Sequence, residues 1–154
     1  MNLIVVGCPG IGKTTISSRN NLFVDIKKAK IIKENNFFKE YESKILLMNF
    51  VGIDFLKSKI DKDDYKILIL NINTKIASIL KKRLIKRETQ KIFSVLKVLN
   101  EINAIDKFSS LNYEKDKDVI IKRINNEKEL NNLENILLEE YNKLNVEDGR
   151  YNKS

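Results

Sequence analysis

Residues 7–14 read Gly-Cys-Pro-Gly-Ile-Gly-Lys-Thr, a complete GxxxxGK(S/T) pattern. The apolar run Leu3–Val6 precedes it and the polar stretch Thr14–Asn20 follows. Strand, glycine turn and helix start are the setting in which this pattern wraps a phosphate. Glycines at 7, 10 and 12 let the backbone curl so that its N–H groups approach phosphate oxygens. The helix opening there adds the partial positive charge of its first turn. Gly7, Cys8, Pro9, Gly10, Ile11, Gly12, Lys13, Thr14 and Thr15 are therefore the candidate phosphate cradle. Lys13 is the expected ammonium on the β- and γ-phosphates, and the Thr14 hydroxyl an expected Mg²⁺ ligand.

Working outward, 154 residues suffice for one domain with a proper core. No apolar run approaches the roughly 18 residues of a membrane span. The start lacks the charged stretch and small-residue cleavage site of a signal peptide, and there is a single cysteine. A cytoplasmic protein without a disulfide framework or membrane partner is the expectation. Histidine is absent, which excludes histidine acid–base catalysis, histidine metal ligation and Ser-His-Asp chemistry. The net charge of +8 fits either a polyanion partner or plain enrichment in Lys, Asn and Ile. The lysines are scattered and not interleaved with aromatics, which favours composition over a nucleic-acid footprint.

Five apolar segments alternate with helical patterns: Leu3–Gly7, Leu22–Ile26, Lys44–Val51, Tyr65–Ile72 and Val119–Ile121. Runs apolar on both faces suit parallel strands covered above and below. Helices are expected over Thr14–Asn20, Ile31–Tyr41, Ile53–Ile60, Thr74–Ser109 and Glu127–Leu144. A continuous helix over Thr74–Ser109 would be about 50 Å long, too long for this domain, so a break near Glu88–Lys91 is expected. Residues 145–154 read as a polar tail. The alternation gives an α/β fold of three layers: a central parallel sheet of about five strands with helices on both faces, in one domain. Ligands of such sheets lie at the carboxyl ends of the strands, where the glycine turn falls.

With these segments placed, the chain resembles the P-loop superfamily, in its adenylate-kinase-like branch of nucleoside and nucleotide kinases. The loop "GCPGIGKTT" is similar to that branch's GxPGxGK(S/T)T form. "ILILNINTKIASILKKRLIKR" at 67–87 resembles its fourth strand and a helix ending in xxRLxxR, where arginines begin a lid over the phosphates. "DVIIKRINNEKELNNLENILLEE" at 118–140 resembles its closing strand, Asn-rich loop and final helix, as in dephospho-coenzyme A kinases too. The compact middle also looks like small phage-type kinase-like proteins. The resemblance implies ATP and Mg²⁺ as ligands, a small-molecule phosphate acceptor, a lid over about 84–115, and adenine contacts from Arg123 and Asn125. It also implies a role for Asp25, at the end of "LFVDI": shikimate- and gluconate-kinase-like relatives place a substrate-contacting aspartate there.

The chain departs from the branch in three respects. No aspartate ends the third or fourth strand, where Asn49, Asn71 and Asn73 stand instead. Residues 27–43 leave little room for a nucleotide-binding insertion. The lid signature is incomplete.

Each candidate has a plainer alternative. Arg83 and Arg87, four apart on one helical face, either swing onto the transferring phosphoryl group or form a solvated basic face. Asp25 either holds the Mg²⁺ shell through water or accepts the substrate proton, or else it caps the next helix. Arg123 and Asn125 either meet the base or sit in a solvent loop. Cys8 is a variable loop position whose pKa a helix start can depress. Asp61, Asp63 and Asp64 form a solvent-facing turn.

The function expected is transfer of the γ-phosphoryl of Mg-ATP to a nucleotide, nucleoside or similar small acceptor. The alternatives are an ATP-dependent nucleic-acid protein, such as a polynucleotide kinase or ATPase, and a nucleotide binder without transfer. A GTPase is disfavoured because "NKLN" at 142–145 departs from the guanine-reading NKxD.

Overall fold

The computed structural model describes residues 2–27, 41, 43–49, 52–61, 63–88, 95–110 and 117–147. Its strands are β1 (Asn2–Val6), β2 (Phe23–Asp25), β3 (Ile45–Met48), β4 (Tyr65–Ile72) and β5 (Val119–Ile124). Its helices are α1 (Lys13–Arg19), α2 (Ile53–Lys59), α3 (Thr74–Glu88), α4 (Val95–Ser110), α5 (Glu127–Asn131) and α6 (Leu133–Glu147).

The five strands form one sheet in the order β2-β3-β1-β4-β5, with every pairing parallel. This is the expected α/β fold. Successive side chains of a strand point to opposite faces, so unbroken burial requires cover on both sides. β1 and β3 are buried at every position, and β4 at all but Lys66. β1 lies in the middle, with Val6 in register with Met48 on one side and Ile69 on the other. From β1 the chain crosses to β2 at the edge and comes back to β3 between them, then passes to the other side of β1 to build β4 and β5. A crevice opens where that order reverses, at the carboxyl end of the strands.

Short connections fix the edges of the site. Asn20 ends α1 with its N–H on the Ile16 carbonyl, and its side-chain oxygen accepts from the N–H of Leu22. The chain thus enters β2 after one turn, and β2 delivers Asp25 beside the loop that follows β1. At the carboxyl end of β4, Asn73 caps α3: its side-chain oxygen accepts from the N–H of Ile76, and its amide donates to the Asn125 carbonyl. The asparagine that stands where an acidic strand end was sought therefore has a structural task.

α3 buries Ile76, Ala77, Leu80 and Leu84, and α4 buries Val98, Ile105 and Phe108. Lys81 and Asp106 form an ion pair between the two helices. The two faces of α4 should respond differently to truncation. Ile105→Val, at a fully buried position, is expected to cost about 0.5–1.5 kcal/mol. Leu99→Ala, at a half-exposed one, should stay within about 0.5 kcal/mol of zero. Denaturant midpoints check this, and equal losses would contradict the packing.

Several boundaries differ from expectation. α3 spans Thr74–Glu88 and α4 Val95–Ser110; of the expected break near Glu88–Lys91, 89–91 lie outside the described residues. β5 runs to Ile124, so Arg123 lies within the strand and not after it. Asn132 splits the closing helix in two, its N–H bonding to the carbonyls of Lys128 and Glu129. The expected polar tail is helical at its start, since α6 reaches Glu147 and Asn145 is buried with its amide on the Tyr141 carbonyl. The expected helix at 31–41 lies outside the described residues except for Tyr41. Of the candidate lid, 84–88 belong to α3 and 95–110 form α4; 89–94 and 111–115 lie outside the described residues. No helix among the described residues is long and apolar enough to cross a membrane.

Candidate active site

The chain leaves β1 with Gly7 donating its N–H to the Met48 carbonyl, 3.0 Å away. A Cβ at Gly7 would stand 3.2 Å from Leu70 Cδ1, so any larger residue there would have to push the Leu70 side chain aside. Cys8 and Ile11 are buried in the core and pin the loop from below. Gly12, with φ +108, turns the chain into α1 in the left-handed region that side chains avoid. α1 begins without a side-chain cap and without an acidic residue in its first turn. Nothing local competes there with an incoming anion for the first N–H groups.

The loop opens on a cavity of ≈ 440 Å³. Pro9, Gly10, Gly12, Lys13, Thr14 and Thr15 line it, as do Asp25 at the end of β2, Ile26 and Lys27 beyond it, Asn49 after β3, and Arg87, Glu88, Lys97 and Glu101 from α3 and α4. Among the expected cradle residues, Gly7, Cys8 and Ile11 lie behind this surface and support it.

Lys13 is buried, with Nζ donating to the Gly7 carbonyl at 2.9 Å and the Cys8 carbonyl at 2.6 Å. Loss of hydration lowers its pKa to about 8, against a smaller upward pull from Cys8 and Asp25. The Thr14 hydroxyl donates to Asp25 Oδ2 at 3.1 Å. A hydroxyl and a carboxylate joined in this way are hard oxygen donors, the set that Mg²⁺ takes alongside substrate phosphates and water. The ammonium, the uncapped helix start and these oxygens fit a magnesium-bound polyphosphate. Among the described residues there is no group of three or more His, Cys, Asp or Glu able to hold a metal by themselves.

The other expected residues are distributed less uniformly. Arg87 lines the cavity and donates from Nη2 to Glu101 at 3.1 Å. Arg83, one turn earlier, turns away, with Nη2 3.4 Å from Asn131 Oδ1 and 3.6 Å from Glu127 Oε1. Arg123 is exposed within β5. Asn125 is held by its carbonyl on Asn73 and by a long contact to Glu129, in the cap of α5, where Asn126 accepts from the N–H of Glu129. Asp61, Asp63 and Asp64 make a turn at the opposite end of the sheet, before β4.

The helix start does not depress the Cys8 pKa. Burial pushes the thiol up to about 11, and the nearby Lys13 offsets only part of that. The thiol should accordingly resist iodoacetamide at pH 8 in the native protein and react readily after denaturation. Rapid native alkylation, followed by mass spectrometry, would contradict its placement.

Glu88, Lys97 and Glu101 went unnoticed in the sequence. Glu88 lies in "KKRLIKRETQK" and the other two in α4, and no apolar spacing marks any of the three as part of a site. Glu88 is nevertheless 3% exposed, and its Oε1 has no hydrogen-bond partner among the described residues. The only available signal was position: a carboxylate directly after the second arginine, where the helix had to break.

No protein-family model matches the chain, and no curated protein matches it by sequence. Among solved structures, it is similar to an uncharacterised protein from Eubacterium ventriosum ATCC 27560, at 9% identity and a TM-score of 0.50. That alignment covers 93% of this chain and 98% of the other. Shikimate kinase from Aquifex aeolicus vf5 aligns at 13% identity and a TM-score of 0.43, over 95% of this chain and 99% of the other.

Proposed function

We propose that the protein binds Mg-ATP in the cavity at the carboxyl end of the sheet and transfers the γ-phosphoryl group to a small acceptor. The observation that carries this reading is the hydrogen bond from Thr14 to Asp25, set within the cavity that the glycine loop and Arg87 share. Phosphoryl transfer asks a protein mainly to position reactants and to neutralise the charge on the moving group. Main-chain N–H groups of residues 10–15 and the Lys13 ammonium hold the phosphate chain. Thr14 and Asp25 hold the metal, Asp25 in part through water. Mg²⁺, when bound, supplies further charge neutralisation across the phosphates. Arg87 provides a planar fork suited to phosphate oxygens. Arg83 is assigned no contact with phosphate, since its partners Glu127 and Asn131 both lie on α5.

Asp25 is the carboxylate assigned to the acceptor's hydroxyl. Its second oxygen makes no hydrogen bond among the described residues, and it lies on the same cavity wall as Lys27 and Asn49. The acceptor therefore enters from the ends of β2 and β3.

The test is ADP release from Mg-ATP across nucleosides, nucleoside monophosphates and small hydroxy acids, with products identified by mass. Stimulation by one small acceptor, with a product heavier by one phosphoryl group, is expected. Stimulation by oligonucleotides alone, weakening steeply with salt, would favour an enzyme acting on nucleic acid. Saturable ATP binding with no product from any acceptor would favour a binder without transfer.

A further inference from the structure

Where α3 and α4 wall the cavity, four charged side chains alternate in sign. Glu88 Oε1 lies 3.4 Å from Arg87 Nε and 3.6 Å from Lys97 Nζ, while Glu101 Oε2 accepts from Arg87 Nη2 at 3.1 Å. Glu88 is buried almost completely and Glu101 mostly, whereas the Arg87 side chain remains nearly half exposed towards the cavity. A guanidinium carries five N–H donors in a rigid plane. Glu101 holds Nη2 by a hydrogen bond and Glu88 adds an ion pair to Nε, which leaves Nη1 uncommitted among the described residues. A long side chain loses rotamer freedom when it grips an anion, and prior fixation reduces that loss.

We propose that Glu88 and Glu101 are positioning residues for Arg87: they fix one edge of its guanidinium and present Nη1 to the phosphate chain. The inference rests on the reading that this cavity takes a polyphosphate. It runs against the simpler expectation that carboxylates near such a site repel the ligand, and the two effects have opposite signs.

The probe is Mg-ADP, titrated calorimetrically into the wild type, Glu101→Gln, Glu101→Asp, Arg87→Ala and the Arg87→Ala/Glu101→Gln pair, each checked for fold by circular dichroism. Positioning gives about fivefold weaker binding for both Glu101 variants, the size expected of coupled neighbours. Loss in E101D is the sharper result, because the charge is retained and only the reach is shortened. In the Arg87→Ala background, E101Q should produce no further loss. Glu88→Gln repeats the test from the buried side. Tighter or unchanged binding in E101Q with Arg87 present overturns the inference, as does an equal loss with and without Arg87. A wild type that binds no Mg-ADP removes the polyphosphate reading itself. Binding by the wild type with no effect of either carboxylate sinks the positioning role alone.

Discussion

Lys13→Ala is expected to reduce Mg-ATP affinity by about 100-fold or more and to lower transfer by about 10³, while the fold survives. Loss of one preorganised donor aimed at developing charge typically costs about 10²–10³ in rate. Lys13 is more than a donor, since its ammonium is the buried cation of the loop. Its pKa is held near 8, below the usual lysine range, because burial disfavours the charge. The consequence for stability has a definite sign. Below pH 8 the ammonium is charged in both states, and the native state bears the cost of burying it. Between about 8 and the ordinary lysine value the unfolded chain binds more protons than the native one, so stability rises with pH. Lys13→Met should abolish this rise and leave the protein at least as stable at pH 7 by thermal unfolding. Affinity for nucleotide should move the other way in the wild type, falling as pH passes 8, because the bound phosphates need the ammonium. A variant that keeps full affinity, or one that unfolds in step with losing it, would contradict the role given to Lys13.

The second large effect belongs to Asp25. Asp25→Asn preserves shape and one acceptor oxygen for the Thr14 hydroxyl but removes the negative charge. Transfer should fall by about 10²–10³, the size seen when one charge-stabilising group is lost. The diagnostic is magnesium: it should strengthen ATP binding in the wild type and have little effect in the variant. If Asp25 merely tidied the end of β2, the magnesium response would persist unchanged. Titrations with and without the metal, read by calorimetry, decide between the two.

The fold was written plainly in the chain because its signals are local and redundant. "YKILILNI" is apolar on both faces for longer than any loop tolerates, and β4 occupies that whole span. The glycine turn fixed where the ligand side of the sheet lies. The strand order was not legible: hydrophobic runs show which segments are buried but not which neighbours they take. The centre of the site was legible for the same reason as the fold. Glycine spacing constrains backbone geometry, and Lys13 and Thr14 follow at fixed positions. Its outer wall was not. Arg83 and Arg87 share a helical face in sequence, yet one is drawn towards Glu127 and the other towards Glu101, partners 44 and 14 residues away. Long side chains choose among several such partners, and spacing alone does not rank them. Glu88 eluded reading because burial of a carboxylate depends on cations that two helices bring together, a feature of tertiary packing.

The most direct test is the binding of a slowly hydrolysed ATP analogue with Mg²⁺, titrated into the wild type and Lys13→Met at pH 7. A single saturable site in the wild type, nearly lost in the variant at equal thermal stability, is the outcome expected of a loop that encloses a phosphate chain. Identical heats from both proteins, or none from either at millimolar analogue, would contradict it.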